Sequence, residues 1–165
     1  MRTRVQDLQR IGGSNRARLS AIAAALAAAA AASGCSTSSS ARVPVACKES
    51  PGAIQAALQR APGDVRVGGV KLSACFARAS DQADVQAVGL SFLPAAERLA
   101  SDARDHPGGP AALRLGFLIG ASHRGADRAQ GIYSEFVRRL DSELTGVDVG
   151  SPAYRMGHRA GVGHG

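Results

Sequence analysis

Three cysteines, four histidines and a scatter of serines and carboxylates are the side chains of this 165-residue chain best suited to chemistry. Their spacing removes most of the options. Cys35, Cys47 and Cys75 form no Cys-x-x-Cys, so a dithiol redox motif is not written here. His106, His123, His158 and His164 never stand four residues apart and no His-Glu-x-x-His occurs, so no metal site and no cofactor are expected. No serine lies in Gly-x-Ser-x-Gly or Ser-x-x-Lys, the settings in which a hydroxyl is activated as a nucleophile. A carboxylate pair for glycoside cleavage would have to come from Glu97, Asp102, Asp127 or Glu135, and each fits an exposed helix position equally well. His123, Arg124 and Arg128 are the densest basic patch and fall near an expected helix start. Backbone N–H groups and the helix dipole could hold an anion there; a solvated turn is the plain alternative. No residue qualifies as catalytic.

Cys35 has a context of its own. Arg2, Arg4, Arg10, Arg16 and Arg18 precede an apolar run from Leu19 to Ala32, and the small residues Ala30, Ala31, Ala32, Ser33 and Gly34 lead directly to Cys35. The run suits a secretory signal and is short for a spanning helix, which needs about 20 apolar residues. Ala32-Ser33-Gly34-Cys35 resembles the lipobox of bacterial lipoprotein signal peptides, with Ala32 where leucine is commonest. That resemblance implies cleavage between Gly34 and Cys35 and a diacylglycerol thioether on Cys35. Two acyl chains hold a protein stably where one holds it marginally. An ordinary secreted protein cut near Ala32, and a retained N-terminal helix, are the competing readings. With Cys35 assigned to lipid, Cys47 and Cys75 remain as a pair, and outside the cytoplasm an even remainder suggests a disulfide.

Composition changes meaning once residues 1–34 are set apart. The whole chain carries a formal charge of +7, but five arginines and one aspartate of the leader account for +4. The remainder has fifteen Lys and Arg against twelve Asp and Glu, a mildly basic surface that could favour acidic lipids or wall polymers weakly. Aromatics are scarce and no basic cluster recurs, so nucleic acid is not a partner. The organisation expected is a signal peptide over 1–34, a lipidated flexible Ser/Thr linker over 35–43, and a single domain over 44–163.

The elements follow from caps and periodicity. Ser50-Pro51 starts a short helix with Ile54, Ala57, Leu58 and Ala61 on one face, stopped at Pro62-Gly63. Val65 to Leu72 around Gly68-Gly69 reads as a tiny β-hairpin, with a loop as the alternative. Ser80 caps a long helix from Asp81 to about Arg104, with a core face of Val85, Val88, Phe92, Ala96, Leu99 and Ala103 and a kink from Pro94 near Leu90. Pro110 opens a helix to about Ser122, in which Ala112, Gly116 and Gly120 make one side nearly flat. Another helix could approach closely there, from within the domain or from a membrane or partner protein. His123-Arg124-Gly125 reads as a basic turn. A fourth helix from about Asp127 to Leu144 stacks Ile132, Phe136, Leu140 and Leu144, broadened by Tyr133 and Val137. Ser151-Pro152 starts a last short helix to Arg159, and residues 161–165 are expected to be disordered.

The fold class is therefore all-α: three main helices plus short ones in a small irregular bundle, with a tiny hairpin and one disulfide. Leu72-Ser73-Ala74-Cys75, Ala87-Val88-Gly89 and the stretch Ala112 to Arg124 resemble uncharacterised small lipoproteins of high-GC bacteria, over roughly residues 47–145. The resemblance implies a membrane-anchored envelope protein facing outside the cytoplasm, in contact with an envelope protein or wall polymer, and no particular activity. A non-enzymatic binding or scaffold module is the expected function, with an envelope hydrolase acting on cell wall or lipid as the alternative.

Overall fold

The computed structural model describes residues 42–79, 81–127 and 133–165. Residues 1–34, expected as a signal peptide, lie outside these residues, as do Cys35, most of the expected linker, Ser80, Arg128 and Ile132. The described residues all belong to one compact unit, Thr37–Gly165. Its hydrophobic core is drawn from residues between Val43 and Tyr154. A unit that closes its own core and its own disulfide has what an independent domain needs.

The fold is all-α with a tiny hairpin. A 3-10 turn, Val45–Lys48, leads to α1 (Pro51–Leu58), then β1 (Arg66–Val67) and β2 (Val70–Lys71), then α2 (Leu72–Ala77), α3 (Gln82–Asp105), α4 (Pro110–Ala126), α5 (Ser134–Ser142) and α6 (Pro152–His164). No described helix is long and apolar enough to cross a membrane.

Local chemistry accounts for the boundaries. The Ser50 hydroxyl accepts from the Ala53 N–H and Pro51 takes the first helical position, so α1 begins where its cap says. The strands pair antiparallel, Arg66 with Lys71 and Val67 with Val70. Gly68 and Gly69 both have positive φ, as the tight two-residue turn demands. Leu72 leaves the strand to start α2, a helix the periodicity did not announce, because six residues are too few to show a period. The cap of α3 is Asp81, whose carboxylate accepts from the Asp84 N–H. The helix runs through Pro94 to Asp105 without a break.

The disulfide joins Cys47 to Cys75 across a Cα–Cα distance of 5.7 Å. It ties the 3-10 turn to α2, and both sulfurs are fully buried. Next to it, Phe76 is the hub of an aromatic cluster. Phe92 meets it edge-on at 4.8 Å, Phe136 stacks at 5.5 Å and Tyr133 lies at 5.8 Å. This cluster joins α2, α3 and α5. The Tyr133 hydroxyl is buried without a hydrogen-bond partner. Burial, reinforced by Asp84, pushes its phenol up to about 12; the Ala79 backbone opposes this only weakly, and its contact falls short of hydrogen-bond geometry.

Helix α4 is the centre of the bundle, and most of its residues are buried. It extends four residues beyond the expected end, so His123, Arg124 and Gly125 form its last turn instead of a loop. Its flat side, Ala112, Gly116 and Gly120, is met by α6. That helix brings Gly157 and Gly161 at the same four-residue spacing. The contact is reciprocal. A Cβ at Gly116 would lie 2.9 Å from the His158 nitrogen, one at Gly120 2.9 Å from the Val162 nitrogen, and one at Gly161 2.8 Å from the Ala121 nitrogen. Neither helix has room for a methyl group, so their backbones touch.

Residues 161–165 are therefore ordered, against the expectation from their glycine content. Arg124 donates to the carbonyls of Val162 and Gly163, which closes the end of α6. Lys71 Nζ donates to the His164 carbonyl at 2.9 Å, and the Ser73 hydroxyl to that of Gly165. The far end of α6 is thus fastened to the hairpin and to α2.

Candidate functional site

Two clefts border α5, one on each side. The larger is a groove of about 870 Å³ between α3 and α5. Val85, Leu93, Pro94 and Phe136 line its apolar part, and Gln82, Gln86, Glu135 and Arg139 supply polar groups. Leu90 also lines it, 70% exposed. Phe136 is present because of the core pattern of its helix: it turns inward toward Phe76, and Gly89 leaves space for its ring on α3. Glu135 is held by Arg138 and Arg139, whose side chains donate to it at 2.9 and 3.0 Å. Those hydrogen bonds, that of Arg139 foremost, hold its carboxyl below the usual range. The glutamate therefore stays ionised and does not serve as a proton donor near neutral pH. An apolar floor with a few charged groups at the edge is the usual form of a ligand groove.

The second cleft, of about 590 Å³, lies between the end of α4 and α5, with His123, Asp127, Ser134 and Asp141 on its walls. His123 Nε2 is 2.9 Å from Asp141 Oδ1. The His158 ring from α6 lies 5.9 Å from that of His123, and Tyr154 stacks on His158 at 6.0 Å. The fold thus assembles a histidine pair from residues 35 positions apart, which no sequence spacing could reveal. No group of three His, Cys, Asp or Glu side chains among the described residues is arranged to hold a metal ion.

The residues singled out by sequence are distributed as follows. Cys47 and Cys75 are joined. Gly34, Cys35 and Arg128 lie outside the described residues. His123 and Arg124 do not stand at a helix start. They occupy the last turn of α4, where unpaired carbonyls make the field negative, and Arg124 is already engaged by carbonyls of α6. The physical basis for an anion site at His123 and Arg124 is therefore absent. Of the four carboxylates, Asp102, Asp127 and Glu135 line three different clefts and Glu97 lines none of these, so no two of them face each other across one cleft. His164 does not dangle in a tail, because its Nε2 is 2.8 Å from the Pro62 carbonyl.

The histidine pair makes stability sensitive to pH. Burial, the neighbouring His123 and, in opposition, Asp141 act on His158, with a net lowering. Arg155 and Arg159 flank it in the cleft formed with Leu144 and Val149. A histidine whose folded-state pKa is depressed stabilises the fold above its unfolded value of about 6.5 and loses that contribution as pH falls. The denaturation midpoint is expected to drop as the buffer is taken from pH 7.5 to 5.5, and His158→Gln to flatten the drop. An unchanged slope in the variant would place the sensitivity elsewhere.

Comparison with protein-family models, curated proteins and solved structures returns no match to this chain.

Proposed function

We propose that this chain is a lipid-anchored protein of the bacterial cell envelope that works without catalysis, as a binding or scaffold module facing outside the cytoplasm. The observation that carries the reading is the run Ala32-Ser33-Gly34-Cys35 behind five arginines and an apolar segment. The described domain is compatible with it in two respects. A buried disulfide suits an oxidising compartment. Among the described residues the core begins at Val43, and the reading assigns the residues between Cys35 and Val43 to the tether. On this reading the groove between α3 and α5 is where an envelope ligand or partner would be held.

The hydrolase alternative draws on one observation, the His123–Asp141 pair in a cleft that also contains Ser134. Both members of the pair are more than a third exposed. Water at that exposure screens the carboxylate from the imidazole and competes for both, which is a poor setting for activating a hydroxyl. The binding module is the better reading.

Membrane fractionation of cells expressing the whole chain tests the anchor. The wild type is expected in the membrane fraction at its processed mass, and Cys35→Ala in the soluble fraction or retained as the unprocessed form. A Cys35→Ala protein that is processed and still sediments with membranes would refute the lipid anchor.

A further inference from the structure

We infer that the outward face of α6 is a docking surface for an anionic lipid bilayer, so that the domain lies against the membrane that holds it. Arg155, Arg159, Met156 and Val162 share one exposed arc of the helix, since their spacings of one, four and seven residues keep them within about a third of a turn. Met156 is 44% and Val162 45% exposed, so both present apolar surface to the solvent on this arc. The side chains of Arg155 and Arg159 make no ion pair or hydrogen bond among the described residues. The helix sequence contains no acid. The cleft alongside, about 420 Å³, is lined by Leu144, Val149 and Tyr154 with the same two arginines and His158, again with no carboxylate. Cations whose alkyl stems lie beside exposed apolar groups are the composition that binds at a headgroup boundary, charge to phosphate and side chain to acyl chain.

The geometry of the tether points the same way. Ala46, just inside the start of the domain, packs against the Gly68 turn of the hairpin. Lys71 on that hairpin holds the His164 carbonyl at the end of α6. The point where the tether enters and the end of α6 are therefore at one end of the domain. Seven residues separate Cys35 from Val43, a reach of about 25 Å at full extension. This inference rests on the lipid anchor for its biological setting, but the surface can be tested without it.

The experiment uses the compact unit Thr37–Gly165, which contains the whole core and the disulfide. Sedimentation is measured with phosphatidylcholine vesicles and with phosphatidylcholine vesicles containing phosphatidylglycerol. Binding is expected only to the anionic vesicles, weakening as salt is raised. Each cation near such a surface changes partitioning roughly fivefold, so Arg155→Gln with Arg159→Gln should lower it roughly thirtyfold. Arg78→Gln with Arg98→Gln, equal in charge but outside α6, should lower it much less. The chain has no tryptophan, so Met156→Trp and Leu90→Trp each introduce one fluorophore. A blue shift on anionic vesicles is expected for position 156 and none for position 90. Equal binding to both vesicle types, equal loss in the two arginine pairs, or a shift at 90 instead of 156 overturns the inference. So does a unit that self-associates through the Met156 face and ignores vesicles. Loss of membrane fractionation in cells with vesicle binding intact would instead count against the anchor alone.

Discussion

Gly161→Ala is expected to destabilise the domain by about 2–3 kcal/mol, while Gly163→Ala, the same change two residues on, stabilises it by about 0.5 kcal/mol. Helix propensity alone would make both favourable, since alanine loses less backbone entropy than glycine. What separates them is the neighbour. At Gly161 the added carbon meets the Phe117 carbonyl and comes within 2.8 Å of the Ala121 nitrogen, both rigid backbone of α4. At Gly163 it meets nothing within 4 Å. Backbone cannot swing aside as a side chain can, so α6 must lift from α4 along its length. The contacts of Gly116, Gly120 and Gly157 are then weakened together. Urea denaturation of the two variants reads the difference directly. Equal midpoints would mean that the helices are not in backbone contact.

Replacing both Cys47 and Cys75 by alanine is expected to cost about 3–4 kcal/mol, the chain-entropy value for the 28-residue separation they span. Alanine is the informative substitution because both sites are fully buried, and a serine hydroxyl there would add an unmet hydrogen bond. The loss should be felt unevenly. The bridge encloses α1 and the hairpin, whose two-residue strands are too short to persist alone. Hydrogen exchange is expected to accelerate first in α1 and the hairpin, with α4 protected until global unfolding. Uniform acceleration, or a melting temperature indifferent to reductant in the wild type, would deny the bridge its structural role.

Much of the fold was legible because it depended on local signals. Ser50-Pro51 and Ser151-Pro152 mark two helix starts, and both hydroxyls cap as expected. Val85, Val88, Phe92, Ala96, Leu99 and Ala103 predict the buried face of α3, and all are buried except Val85, which is half-buried at its edge. The paired glycines predict the hairpin turn, and both adopt positive φ. The failures share a different cause. Helix α6 was expected to end near Arg159 because Gly157, Gly161 and Gly163 have poor helix propensity. The first two are helical because α4 rewards the absence of a side chain there, and that reward is visible only once α4 is alongside. The same reasoning covers His123-Arg124-Gly125. A glycine after two basic residues reads as a turn, yet Gly125 lies in the helix, where an added Cβ would come within 2.7 Å of Phe76 Cβ. The His123–His158 contact was out of reach for the plainest reason: it exists only where α4 and α6 meet.

The glycine seam between α4 and α6 also determines how the molecule should answer to temperature. Burial of side-chain hydrocarbon carries a large heat-capacity change and weakens on cooling. A peptide-to-peptide seam removes little hydrocarbon from water. It is held by close backbone packing, in which dispersion, whose strength varies little over the same range, has the larger share. The aromatic cluster around Phe76 is of the first kind and the α4–α6 seam of the second. Cold should therefore loosen the α2–α3–α5 end of the domain before it reaches α6, whereas a change to Gly161 would place the weak point at α6 at every temperature.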